Sequence, residues 1–268
     1  MSDQQKYINK LKGSSILIIG GTSGIGFGVA EAVLEYGASK VIITSSRKSR
    51  VSDAVSKLKK SYPSSAAKIT GLAYDLGTEG TLEANVKDLF STIDGTLDHI
   101  VYSAGDSVAS KALDEVDLDF IKQAGMVRYF APILVAKYGS KVLSPGPASS
   151  ITLSTGSVSQ RPIPNWTIVA GYAAGLHGLT RNLALDLKPI RVNLISPGFV
   201  DTELWNGLGA EQRKATVQSM AESSATGRAG QVVDVVEAYL YCMRDHNVTG
   251  SVISTNSGQL LTSSGNLK

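Results

Sequence analysis

The stretch Ile16-Leu-Ile-Ile-Gly-Gly-Thr-Ser-Gly-Ile-Gly-Phe-Gly-Val-Ala30 leaves few folds open to this chain. Four consecutive apolar residues, Ile16 to Ile19, predict a short strand buried on both faces. Gly20, Gly24 and Gly26 follow at once. Ile25, Val29, Ala32 and Val33 then return at helical spacing. A strand, a glycine turn and a helix in that order bring backbone close to a phosphate at the positive end of the helix. Glycine spacing alone would fit a packing turn equally well. The strand before it, the helix after it and the place near the N-terminus point to dinucleotide binding.

The same alternation runs on. Strands are expected at 40–44, 69–74, 99–102, 150–153, 191–195 and 251–255. Helical patterning covers 49–60, 79–92, two stretches within 114–142, 169–186 and one tail segment at 231–243. This predicts an α/β fold, a Rossmann-type doubly wound parallel β-sheet with helices on both faces. Residues 1–268 contain no repeat, linker or low-complexity tract, so one domain is expected, with 1–14 as a polar lead-in.

Composition removes several function classes. With 43% hydrophobic and 18% charged residues the chain is globular rather than disordered. Net charge is only +3, and the densest basic run, Lys57, Lys59 and Lys60, suits a solvated helix face, so no nucleic-acid partner is expected. The single cysteine, Cys242, excludes an intrachain disulfide, and the scattered His99, His177 and His246 offer no metal-ligand spacing. The first twelve residues are polar and no apolar run would span a bilayer, so a cytoplasmic protein without membrane attachment is expected.

Ligands of such sheets bind beyond the carboxyl ends of the strands. Polar clusters stand at those ends: Gly20 to Gly24, Ser45 to Arg47, Asp75, Ser103 to Gly105, Ser154 to Ser157, and Pro197 to Thr202. At the end of the second strand, NAD-binding chains usually carry a carboxylate for the ribose hydroxyls. Here Thr44-Ser45-Ser46-Arg47 stands instead, with no acid before Asp53. Hydroxyls and a guanidinium suit a 2′-phosphate, which selects NADPH/NADP+ over NAD(H).

Gly20-Gly-Thr-Ser-Gly-Ile-Gly26, Asp75-Leu76, Ser103-Ala104-Gly105, Gly178-Leu-Thr-Arg-Asn-Leu-Ala184 and Pro189-Ile-Arg-Val-Asn-Leu-Ile-Ser-Pro-Gly-Phe-Val-Asp-Thr202 together resemble the short-chain dehydrogenase/reductase superfamily along nearly the whole chain. The resemblance implies that Gly20, Thr22, Ser23 and Ile25 line the pyrophosphate site. It places Asp75 and Leu76 beside the adenine, Ala104 beside the ribose, and Val200 and Thr202 beside the nicotinamide carboxamide. It also implies subunit association through 169–186, although the stripe Leu176, Leu179, Leu183 and Leu187 reads equally well as core.

Catalytic members of the superfamily use Asn, Ser, Tyr and a Lys four residues after the Tyr. Tyr172 is followed at that distance by Leu176. In the register of Gly178-Leu-Thr-Arg181 the tyrosine position is Val169 and the lysine position Ala173. The asparagine position falls on Arg128, and only the serine region, Thr155 to Ser157, remains. Arg128-Tyr-Phe-Ala-Pro-Ile-Leu-Val-Ala-Lys137, Pro162-Ile-Pro-Asn-Trp166, Thr226-Gly-Arg228 and the segment from Glu237 to Gly250 are similar to fungal alkaloid-pathway reductase/Diels–Alderases of the malbrancheamide and paraherquamide type. Those enzymes lack the Tyr–Lys pair, bind NADPH, reduce a cyclic iminium and guide a cycloaddition. Their Arg matches Arg128 and their Trp matches Trp166, but their Asp position reads Ile163 here.

Hydride addition to a ketone creates an oxyanion that needs a donor. Addition to an iminium cancels a charge and leaves a neutral amine, so loss of the usual acid is tolerable. The expected activity is that of an NADP(H)-dependent oxidoreductase of specialised metabolism acting on an activated C=N of a polycyclic or heteroaromatic small molecule, with guidance of a cyclisation or cycloaddition as a further expectation. Trp166 is the stacking residue, Arg128 a contact for cofactor or substrate oxygens, and Ser157 and Tyr172 hydrogen-bond donors. Two alternatives stand beside it: a non-redox cyclase or isomerase with a structural NADP+, and an NADP(H)-binding protein without turnover.

Overall fold

The computed structural model describes residues 6–107 and 110–262. Seven strands form one sheet: β1 (Ser15–Ile19), β2 (Lys40–Ser45), β3 (Lys68–Ala73), β4 (His99–Tyr102), β5 (Ser150–Ser154), β6 (Arg191–Pro197) and β7 (Val252–Thr255). All pairings are parallel, in the order β3-β2-β1-β4-β5-β6-β7. The direction of winding reverses between β1 and β4, and a crevice opens there at the carboxyl ends. The glycine turn leaves β1 into that crevice.

Two cores cover the faces. Helices α1 (Gly24–Glu35), α2 (Lys48–Ser61) and α8 (Val232–Arg244) close one, where Val29, Val33, Leu58, Val235 and Tyr239 meet β1 and β2 side chains. Helices α3 (Leu82–Ser91), α5 (Ala131–Gly139) and α6 (Thr167–Asp186) close the other, around Leu89, Phe90, Val135 and Leu176. α4 (Leu118–Gly125) leads through a π-helical turn, Met126–Phe130, directly into α5.

Two local departures from the expected pattern have physical reasons, and one open point is resolved by packing. Leu11, inside the polar lead-in, is fully buried in the first core. α7 (Ala210–Glu222) has no buried residue, so no apolar stripe announced it. The leucines of α6 turn inward: Leu176 is buried and Leu179, Leu183 and Leu187 pack against the same core, while Leu185 is 62% exposed.

Candidate active site

The turn after β1 has a geometry that only glycine fits at its first position. Gly20 has φ +89°, and a Cβ there would lie 2.5 Å from the backbone nitrogen of Ala104. The β1 and β4 exits are thereby pressed together, and the amides of Gly20 and Gly21 both donate to the Thr44 carbonyl at the end of β2, at 3.0 and 3.2 Å. Ser23 precedes α1 in extended backbone, and its hydroxyl caps none of the helix amides. The first turn of α1 therefore faces outward with its partial positive charge uncapped by that side chain. Thr22 is half-buried, Ser23 exposed and Ile25 half-buried along this edge.

At the end of β2, Ser45 is half-buried and Ser46 and Arg47 are exposed. Arg47 stands just before α2 and makes no ion pair among the described residues. Asp75 is exposed, and its carboxylate accepts from the Gly77 amide at 2.9 Å and the Thr78 hydroxyl at 2.6 Å, while Leu76 is buried. Beyond β6, Val200 is buried and bridges to Gly230. Thr202 Oγ1 accepts from the Leu204 amide at 3.4 Å, leaving its proton for another acceptor. These groups line one sheet edge, and their chemistry fits a phosphorylated dinucleotide: a glycine turn leading into a helix start, a guanidinium without an acid partner among the described residues, and no carboxylate at the end of β2.

The opposite half of the crevice is built on side chains. Arg128 lies in the π turn, a deviation that re-aims side chains and recurs at functional sites. Its Nε donates to Asp106 Oδ1 at 2.9 Å and its Nη2 to the Asp106 carbonyl. The guanidinium rests on Gly105, where a Cβ would meet Arg128 Nη2 at 3.2 Å. Asp106 escaped sequence reasoning because nothing marks a lone acid in a loop; its partner is twenty-two positions away. The π turn is also held by the buried Tyr102, whose hydroxyl donates to the Val127 carbonyl.

Val169 and Ala173 are 7% and 9% exposed on the inward side of α6. The Thr155 hydroxyl donates to the Ala173 carbonyl at 2.9 Å. Tyr172 points elsewhere. Its hydroxyl donates to the Ile121 carbonyl at 3.0 Å, and its ring packs against Tyr129 and Phe130 at 5.1 and 5.7 Å. Burial, with the nearby Tyr129, raises its phenol above the usual range. Its place is thus a structural tie between α6 and α4.

Ser157 begins a 3-10 turn, Ser157–Ser159, and its hydroxyl has no hydrogen-bond partner among the described residues. His177 of α6 bonds Ser159 at 3.0 Å and holds that turn to the helix. Trp166 is the half-buried residue that precedes α6, and the carbonyl of its neighbour Asn165 accepts from the Lys111 amide at 3.1 Å. Ile163 is 43% exposed. Because α6 packs on both the π turn and the Ser157 turn, Arg128, Ser157 and Trp166 belong to elements gathered around its first half. Among the described residues no group of three or more His, Cys, Asp or Glu is placed to hold a metal ion, and no helix is long and apolar enough to cross a membrane.

Residues 7–262 match the family model of the SDR-like Rossmann domain. The chain belongs to the short-chain dehydrogenase/reductase family. Membership makes it an oxidoreductase by class. Short-chain dehydrogenase/reductase fsr5 of Gibberella fujikuroi is 43% identical over 265 residues, covering 98% of this chain and 100% of fsr5. The malC protein of Malbranchea aurantiaca is 38% identical over 265 residues, covering 97% of this chain and 100% of malC. The solved structure of the MalC reductase/Diels-Alderase superposes with a TM-score of 0.89 at 40% identity, over 95% of this chain and 99% of MalC. A small-chain dehydrogenase solved in complex with NADPH is 28% identical, with a TM-score of 0.74, over 92% of this chain and 99% of its own.

Proposed function

We propose that this short-chain dehydrogenase/reductase is an NADPH-dependent reductase of specialised metabolism whose acceptor is an activated C=N, an iminium of a polycyclic or heteroaromatic small molecule. The single observation that carries the reading is the pair Val169 and Ala173: two buried hydrocarbon side chains at the tyrosine and lysine positions of the family. Neither can deliver or steer a proton, and the Thr155 hydroxyl beside them is spent on the Ala173 carbonyl. A cationic acceptor needs no such proton, because adding hydride leaves it neutral.

Bound NADPH supplies the hydride. The turn from Gly20 to Ile25 would hold its pyrophosphate, with Thr22 and Ser23 offering hydroxyls. Ser45, Ser46 and Arg47 would take the 2′-phosphate, Asp75 and Leu76 the adenine, Ala104 the ribose, and Val200 and Thr202 the carboxamide. On the acceptor side, Trp166 offers a ring face for a flat cation, Ser157 a free hydroxyl, and Arg128 a guanidinium whose direction Asp106 fixes. MalC bears the name reductase/Diels-Alderase. In this chain the exposed Ile163 offers no carboxylate, so any cyclisation would be shaped by the walls of the pocket rather than by an acid there.

The reading is tested with NADPH deuterated at its transferable position and N-methyl-3,4-dihydroisoquinolinium as acceptor. Deuterium at the former iminium carbon of the amine is the expected result. Conversion of an acceptor to a product of unchanged mass would replace the reductase with a cyclase or isomerase. Tight NADPH binding with no conversion of any iminium would leave a cofactor-binding protein without turnover.

A further inference from the structure

Helix α1 starts at Gly24, and the amide of Gly24 already has an anionic partner. It donates to Glu203 Oε2 at 2.9 Å, across 179 positions of sequence. Glu203 begins the short turn Glu203–Trp205 that follows β6. That turn is braced. Trp205 stacks on Phe199 with centroids 5.1 Å apart and donates from Nε1 to the Val200 carbonyl at 3.0 Å. From α7, Arg213 grips Asp201 at 2.7 and 3.0 Å and Asn206 at 2.6 Å. The exposed Glu203 side chain is therefore carried on a braced piece of backbone.

Its charge is also unbalanced. Arg213 is committed to Asp201, and no cation pairs with Glu203 among the described residues. The adjoining pocket of about 530 Å³ adds Glu31 and Asp201 to the same lining. A carboxylate on the first amide of α1 is the side-chain equivalent of a phosphate oxygen at a helix N-terminus.

We infer that Glu203 is an internal stand-in for phosphate: it occupies the anion cradle of α1 until the dinucleotide arrives, and its charge lowers the affinity for the pyrophosphate. The inference rests on the NADP(H) reading above.

Glu203→Gln keeps an oxygen for the Gly24 amide and removes only the charge. Titrations of NADPH and of adenosine 2′-phosphate, which has the 2′-phosphate but no pyrophosphate, separate the two ends of the cofactor. The variant is expected to bind NADPH about tenfold tighter than the wild type and adenosine 2′-phosphate equally well. Unchanged or weaker NADPH binding overturns the inference, as does equal tightening of both ligands. A wild-type chain that binds neither ligand overturns the cofactor reading itself.

Discussion

The two halves of the crevice hold their ligands in different currencies. On the cofactor side, at the ends of β1, β2 and β4, the frame is backbone, Gly20 at positive φ against Ala104 and two amides on the Thr44 carbonyl, with the side chains of Ser45, Ser46 and Arg47 added where β2 ends. On the side proposed for the acceptor, around the π turn and α6, the surface is made of side chains: Arg128 on Asp106, the Ser157 hydroxyl, the Trp166 ring, and hydrocarbon at Val169 and Ala173. Backbone recognition cannot be edited without disturbing the fold. Side chains on a helix face can be exchanged while the helix stays packed, here through Leu176 and the bond from Thr155 to the Ala173 carbonyl. The family's acid can therefore be lost while the family's grip on nucleotide is kept.

The sharpest way to break this contrast is at Gly20. Gly20→Val combines a left-handed backbone with a Cβ inside the Ala104 backbone, and should destabilise the fold by about 3 kcal/mol or more in urea unfolding. Wild-type stability would mean that the cofactor side is not backbone-limited. Arg128→Ala should cost about 1–2 kcal/mol of stability through the lost bonds to Asp106, while turnover falls by about a hundredfold; undiminished turnover would remove Arg128 from the site. Arg47→Ala should weaken NADPH about tenfold and leave NADH unchanged in parallel titrations. An equal loss for both would place Arg47 away from the 2′-phosphate. The smallest effect is expected at Tyr172→Phe, which removes the hydrogen bond to the Ile121 carbonyl: about 1 kcal/mol of stability is lost and turnover is kept. A large fall in turnover would return Tyr172 to the chemistry.

Much of the cofactor side was legible because its signals are local. An apolar run, a glycine turn and a helical period follow one another within fifteen residues, and Ser45-Ser46-Arg47 comes directly off the next strand. Val169 and Ala173 were legible through the register of Gly178 to Arg181. What escaped is non-local or unpatterned. The bond from Gly24 to Glu203 and that from Arg128 to Asp106 join loops whose approach only the sheet order creates. The π turn leaves no periodic mark, since one added residue in a helix changes no residue type. α7 has no fully buried residue and is fastened by Arg213 to Asp201 and Asn206.

The central claim is that reduction proceeds here without a side-chain acid. It is tested most directly by kcat/KM for NADPH oxidation with N-methyl-3,4-dihydroisoquinolinium, a permanently cationic acceptor, measured across neutral and mildly alkaline pH beside a neutral ketone. A flat profile with the iminium and no turnover of the ketone is the predicted result. A rate that falls with a slope of one as pH rises, or ketone reduction at a comparable rate, would show that a protonating group acts in this site and would contradict the account.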